Sequence, residues 1–276
     1  MTLPVRRASR PRAPAVRRAS AGTRRGRIAG VVVAVLAAAS IWAVSAMPAF
    51  DLRQLDVQGA TITSSASLDT ALGLDTIPHP NVFSIDTTRM RQALLALPTV
   101  SDASLAVELP GRLVVHLQER RPILVWASSG QRWLVDVNGL VMAEAPPGDP
   151  AAAALPVFSD DRSNRQPLAP GDTIDPTDLA VARQLGAVTP RMVHSSAAAL
   201  TIEITDADGF TLSTGPKGWL AIFGMYTATL RPPSLVPAQV QCLSSLLARE
   251  GEAKIATVYL FPEGNECGTF VARTSK

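Results

Sequence analysis

Few residues here are suited to metal or nucleophile chemistry. The 276-residue chain has two cysteines and three histidines. Two cysteines cannot fill a structural zinc site, and none of His79, His116 or His194 stands at a CxxC or HxxxH spacing from another ligand. Lysine occurs only at 217, 254 and 276. The residues three positions earlier are Thr214, Gly251 and Arg273, so the Ser-x-x-Lys pair of a serine transpeptidase is absent. There is no Gly-x-Ser-x-Gly elbow, Walker loop or HExxH helix, and no internal repeat. Nothing calls for a cofactor.

Acidic residues are missing from the first 27 positions, which carry nine arginines between Arg6 and Arg27. Removing those nine from the 26 basic residues leaves 17 against 23 acidic ones, so the remainder carries a charge of about −6. The net +3 therefore belongs to the tail. With no aromatic residue to stack on bases, that tail argues against nucleic-acid binding. Its Ala, Pro, Arg and Ser content predicts disorder, and contact with anionic lipid explains its charge.

Charge is also missing from Ile28 to Phe50, a run of 23 residues. As a helix it would extend roughly 34 Å, enough for a hydrocarbon core. Arginines immediately before it predict a cytoplasmic N-terminus and an outer segment, residues 51–276. A cleaved signal peptide is the alternative, with Val44-Ser45-Ala46 as a possible cleavage site. The long basic region and long apolar run favour an uncleaved anchor.

The outer segment reads as α+β. Leu55 and Val57 alternate in a first strand closed by Gly59. Leu68, Ala71 and Leu72 follow at helical spacing, with Ser64 or Ser65 as cap and Gly73 as stop. Asp86 can cap a second helix carrying Met90, Ala93, Leu94 and Leu97, which Pro98 ends. Leu105, Val107 and Leu109 then alternate on one strand and Leu113, Val115 and Leu117 on the next, with Pro110-Gly111 turning between them. The order is β-α-α-β-β over about 70 residues.

That order resembles a POTRA domain. Asn81, Phe83, Pro98, Val100, Pro110, Glu119, Arg120, Pro122, Trp126, Asp136 and Gly139 together resemble the FtsQ/DivIB family of bacterial cell-division proteins. The small residue usual before that tryptophan is replaced by the bulkier Leu124 and Val125. The likeness is good from Phe50 to about Met142 and looser beyond.

Past Met142, "EAPPGDPAAAALP" reads as a loop. "TIEITDADGFTLSTG" reads as a hairpin turning at Asp208-Gly209. Val236, Val240, Leu243 and Leu247 form one stripe of a late helix between Pro237 and Gly251. "KIATVYLF" and "GTFVART" read as closing strands. The resulting divisions are a basic tail (1–27), an anchor (28–50), a POTRA-like domain (51–120) and a larger β-rich domain with one late helix (121–276).

Asp136 and Asp206 each begin an Asp-x-x-Gly sequence, but an EF-hand needs its glycine at position six and a glutamate at twelve. Hairpin turns fit better. Glu119-Arg120-Arg121-Pro122 lacks a second catalytic group placed nearby. It reads as a domain junction with Trp126, in which Arg120 pairs with an acid and Pro122 directs the chain. His116 falls on the opposite strand face from Val115 and Leu117. Cys242 and Cys267 lie outside the inferred membrane, where a disulfide persists; two buried thiols are the alternative.

The resemblance implies a non-enzymatic divisome scaffold of the plasma (inner) membrane at the septum. It implies FtsB/DivIC-like and FtsL-like partners and control of septal wall synthesis. It also implies a docking surface on the terminal strand, at Thr269, Phe270, Val271, Ala272 and Arg273. An anchored envelope enzyme and a POTRA module for protein export or membrane assembly are the alternatives. Export systems usually carry several POTRA units and a barrel, and neither is visible here.

Overall fold

The computed structural model describes residues 23–45, 47–74, 80–163, 165–229, 231–260 and 267–274. Most of the basic tail expected over 1–27, its first 22 residues, lies outside them, as does His79. Helix α1 spans Thr23–Ser45, and Pro48–Phe50 form a separate 3-10 turn. The helix thus stops five residues short of Phe50, where the apolar run ends. Pro48 has no N–H to continue the ladder and opens the new turn. Phe50 is half-buried and packs edge-on against Phe83, centroids 5.1 Å apart, so it belongs to the small domain that follows. Among the described residues no helix is long and apolar enough to cross a membrane.

The small domain runs β1 (Gln54–Gln58), α2 (Ser65–Leu72), α3 (Thr87–Leu95), β2 (Val100–Glu108) and β3 (Arg112–Glu119). Local chemistry sets its boundaries. The Ser64 hydroxyl accepts from the Ser67 amide at 3.2 Å, and Gly73 ends α2 in the left-handed region at φ 69°. The Asp86 carboxylate accepts from the Arg89 amide at 3.0 Å. Strand β3 lies centrally, parallel to β1 and antiparallel to β2. Leu68, Leu72 and Leu94 from the helices bury against Leu113, Val115 and Leu117 of β3. The Gly111 carbonyl accepts from Arg53 and Gln54 at 2.8 and 3.2 Å. A Cβ at Gly111 would lie 2.4 Å from the Asp51 carbonyl oxygen, so only glycine fits there.

The larger domain is one nine-stranded sheet ordered β12-β11-β10-β9-β8-β7-β4-β5-β6. Its strands are β4 (Pro122–Ser128), β5 (Gln131–Asp136), β6 (Val141–Glu144), β7 (Val157–Asp160), β8 (Thr201–Thr205), β9 (Gly209–Ser213), β10 (Leu220–Gly224), β11 (Ile255–Tyr259) and β12 (Thr269–Ala272). The β4/β7, β7/β8 and β10/β11 pairs are parallel. Among the described residues two α-helices belong to this domain, not one: α4 (Pro176–Leu185) precedes the expected late helix α5 (Val236–Glu250). Asp175 caps α4 by accepting from the Thr177 and Asp178 amides, and Pro176 occupies its first turn.

Leu179, Val181 and Leu185 of α4 and Leu243 and Leu247 of α5 share one core with Trp126, Phe158, Phe210 and Trp219. Trp126, expected with the junction residues, is instead buried in this core, because its place on β4 turns it to the helix-covered face, where it stacks on Phe158 at 5.8 Å. At the β4–β5–β6 end the second sheet face is buried too, through Val125, Leu134 and Met142. The bulky Leu124–Val125 pair follows from this. Leu124 fills the helix-side core and Val125 the other face, each almost fully buried.

Val115 is fully buried beneath the two small-domain helices. Val115→Asp places an unpaired charge there and is expected to destabilise the domain by about 3–5 kcal/mol. Urea unfolding of residues 51–276 monitored by circular dichroism measures this; an unchanged midpoint refutes the packing.

Candidate docking edge and domain junction

Strand β12 ends the sheet. It pairs antiparallel with β11, and no strand covers its other edge among the described residues. The β6 edge is closed: Val141 N–H donates to the Asp172 carbonyl and Gly171 N–H to the Val141 carbonyl, both at 2.9 Å. On the small sheet, the Arg91 guanidinium donates to the Ala103 carbonyl of edge strand β2 at 2.7 Å. Such coverings blunt an edge against pairing.

The direction of the free backbone groups on β12 follows from two hydrogen bonds. Arg273 N–H donates to the Lys254 carbonyl at 2.7 Å, inward toward β11, while Leu260 N–H donates to Ile222 O, toward β10. Alternation then turns the backbone of Thr269 and Val271 inward and that of Phe270 and Ala272 outward. The extra residue in this pairing, between Ile255 and Thr257, lies on β11 and leaves β12 regular.

Side chains divide oppositely. Phe270 is half-buried against the domain core. Val271 is 52% exposed and Tyr259 40%, on the sheet face turned away from α5. Phe270 therefore presents only its backbone outward, and Val271 only its side chain.

Three features fix β12. The Arg273 guanidinium donates to the Ile255 carbonyl at 3.2 Å. Gly268, at φ 118°, approaches Tyr259 so closely that a Cβ would lie 2.2 Å from its carbonyl oxygen. Cys267 is disulfide-bonded to Cys242 of α5, with Cα atoms 5.0 Å apart. A cleft of about 1150 Å³ flanks this region, lined by Thr201, Glu203, Lys217, Leu220 and Arg273 among others.

At the other end of the sheet lies the domain junction. Glu119, the last residue of β3, accepts from the amides of Thr61, Ile62 and Thr63 at 2.7–3.0 Å and from both threonine hydroxyls. Partial burial opposes its ionisation, but the Thr61 and Thr63 hydrogen bonds outweigh that and hold its pKa below the usual carboxylate value. Ile62, held in this loop, packs on the Val125–Leu134–Met142 cluster of the larger domain. Arg120 N–H donates to the Thr99 carbonyl at 2.8 Å, and its guanidinium meets Asp136 at 3.4 Å. Asp136 is buried and also accepts from the Asn138 and Leu140 amides at 2.8 and 2.9 Å. Pro122 begins β4 opposite Asp136.

Sequence reading missed two polar clusters. Buried Asp160 and Asp178 are bridged by Arg162, which donates to Asp160 through Nε and Nη2 at 2.7 Å and to Asp178 at 2.8 Å. Arg165 also pairs with Asp178. Burial opposes the Arg162 charge, but these aspartates raise its pKa overall. Two cations balance two anions and pin the start of α4 to the end of β7. No spacing motif joins these residues; the loop after β7 brings them together. Glu252 accepts from the Ser195 hydroxyl, the Ser196 amide and hydroxyl, and Trp219 Nε1. Hydrogen bonds from Ser196 and Ser195 lower its pKa from 4.5 to about 2.

His116 is exposed on the small sheet. Among the described residues no three His, Cys, Asp or Glu side chains cluster closely enough to hold a metal ion.

The pattern of the family described as "POTRA domain, FtsQ-type" matches residues 50–120. The chain is similar to proteins named "Cell division protein FtsQ". With that of Chloroflexus aurantiacus it is 30% identical over 172 residues, 62% of this chain and 61% of the relative. With that of Chloroflexus aggregans it is 32% identical over 59% of this chain and 58% of the relative. With that of Mycobacteroides abscessus it is 28% identical over 70% of this chain and 62% of the relative. The chain thus spans about three fifths of the length of these curated relatives.

Two predictions test the polar anchors. Glu119→Ala leaves three amides without their acceptor and is expected to cost about 1–3 kcal/mol. Hydrogen exchange should quicken at residues 61–63; unchanged protection there refutes the clamp. Glu252 has a depressed folded-state pKa, so its contribution is complete above pH 4.5 and fades as pH falls toward 2. Glu252→Gln should cost about 1 kcal/mol at neutral pH. The gap from wild type should close by pH 2 in thermal melts; a pH-independent gap counts against the assignment.

Proposed function

We propose that this chain, with its FtsQ-type POTRA domain and its likeness to FtsQ cell-division proteins, is a non-enzymatic divisome scaffold. It is a single-pass protein of the plasma (inner) membrane, N-terminus in the cytoplasm, with both domains outside at the septum. The arginine-rich tail and the charge-free run from Ile28 support the anchor and its orientation. Its partners are FtsB/DivIC-like and FtsL-like proteins, and through them it helps control septal wall synthesis.

The observation carrying this reading is the uncovered edge of β12, with Phe270 and Ala272 directing backbone donors and acceptors outward. A partner segment docks there by adding a strand, and main-chain hydrogen bonds supply affinity. Val271 and Tyr259 supply apolar side chains on the neighbouring face.

Ala272→Pro removes one outward N–H without touching those that bind β11, so it is the sharpest probe. Binding to an immobilised FtsB-type partner should weaken at least tenfold, the equivalent of roughly 1.4 kcal/mol. Val271→Ala should cost about 1 kcal/mol or more if its side chain anchors the partner. Full binding by a folded chain truncated after Gly268 places the partner elsewhere.

A further inference from the structure

The small domain leaves three large apolar side chains exposed between residues 47 and 120 among those described: Met47 at 47%, Phe83 at 55% and Leu109 at 61%. All three lie at one end. Strands β1 and β3 begin there and β2 finishes there; their opposite ends, at Gln58, Glu119 and Val100, face the larger domain.

Backbone contacts draw this end together. Leu52 N–H donates to the Pro80 carbonyl at 2.9 Å, Asp51 bridges to Asn81, and Arg53 N–H donates to Gly111 O at 2.8 Å. The Leu109–Gly111 turn, the 51–53 segment and the 80–83 segment are thus neighbours. Phe83 stacks edge-on with Phe50, five residues beyond the end of α1. Arg53 is exposed at the same level and donates to the Pro48 carbonyl at 3.0 Å.

We infer that this end of the POTRA domain is a lipid-contact surface. Phe83 and Leu109 enter the headgroup–acyl boundary of the outer leaflet beside the emerging α1, and Arg53 meets the phosphates. The inference rests on the reading of α1 as a membrane anchor.

The occupant follows from position and chemistry. If α1 enters a bilayer, residues 47–53 lie at its surface, and whatever adjoins them shares that depth. An aromatic ring and an aliphatic side chain beside a guanidinium suit an interface with an apolar interior and an anionic rim. Among the described residues of the small domain, the large exposed apolar side chains lie on this side. One consequence is orientation: held at α1 and at this rim, the domain stands upright, with Glu119 and the larger domain away from the membrane.

The test places a nitroxide on the full chain in nanodiscs containing phosphatidylglycerol, with the native disulfide left oxidised. Labels go on Phe83→Cys, Leu109→Cys, Leu36→Cys within α1 and Ser101→Cys near the far end of the sheet. Power saturation compares collision with oxygen, which partitions into lipid, and with a water-soluble nickel chelate. The oxygen-to-nickel ratio at 83 and 109 should rise several-fold over that at 101 and stay below that at 36. Water-like values at 83 and 109 with a lipid-like value at 36 overturn the lipid surface and leave the anchor standing. A water-like value at 36 overturns both. Shielding of 83 and 109 from both reagents means protein covers the rim, and also overturns the inference. Leu109 is independent of the Phe50 contact, so a local disturbance at 83 does not decide the outcome.

Discussion

Glu119 governs how the two sheets meet. It closes β3, and only three residues later Pro122 opens β4. A chain that passes between domains so abruptly has no linker to absorb error, so its direction must be fixed by bonds. The carboxylate gathers three successive amides of the 61–63 loop, and that loop inserts Ile62 into the second buried face of the larger sheet. Arg120 completes the junction from the other side through the buried Asp136. Each contact uses a charged group to satisfy backbone donors that burial would otherwise leave unpaired. The apolar contact of Ile62 is then made in one geometry.

Downstream of that junction the sheet has unequal ends. At β4–β6 both faces are covered and the edge is sealed by the 169–174 segment. At β12 one face is packed against α5 and the other is open, and no strand among the described residues covers the edge. A nine-stranded sheet exposing a bare edge invites unwanted pairing. Keeping β12 short, at four residues, limits that risk. The disulfide at Cys267, the Arg273 guanidinium and the inward Phe270 hold the strand in place before any partner arrives. Pre-organisation of this kind would lower the ordering cost of the strand addition proposed above.

Much of the small domain was legible in the sequence. Period-two alternation in β2 and β3, the caps Ser64 and Asp86, and the stops Gly73 and Pro98 are local signals, and local physics places them. The Asp208-Gly209 hairpin is of the same kind, because Gly209 adopts φ 65° at its turn. Helix α4 escaped notice because Pro170 and Pro176 punctuate its approach like a loop, although Asp175-Pro176 is a good start signal in retrospect. Strand β10, "LAIFG", is too short and too uniformly apolar to show a period.

The sequence by itself determined the asymmetry of charge, the β-α-α-β-β order and the terminal strand, since each is written in neighbouring positions. Tertiary structure alone decided which partner each found. Arg120 faces Asp136 across 16 residues, Glu119 faces Thr63 across 56, and Arg162 bridges Asp160 to Asp178. It also decided that Phe270 turns inward while Val271 turns out, because the pairing of β12 with β11 sets which face meets the α5 core. Periodicity says only that the two side chains differ; the packed sheet says which one meets solvent.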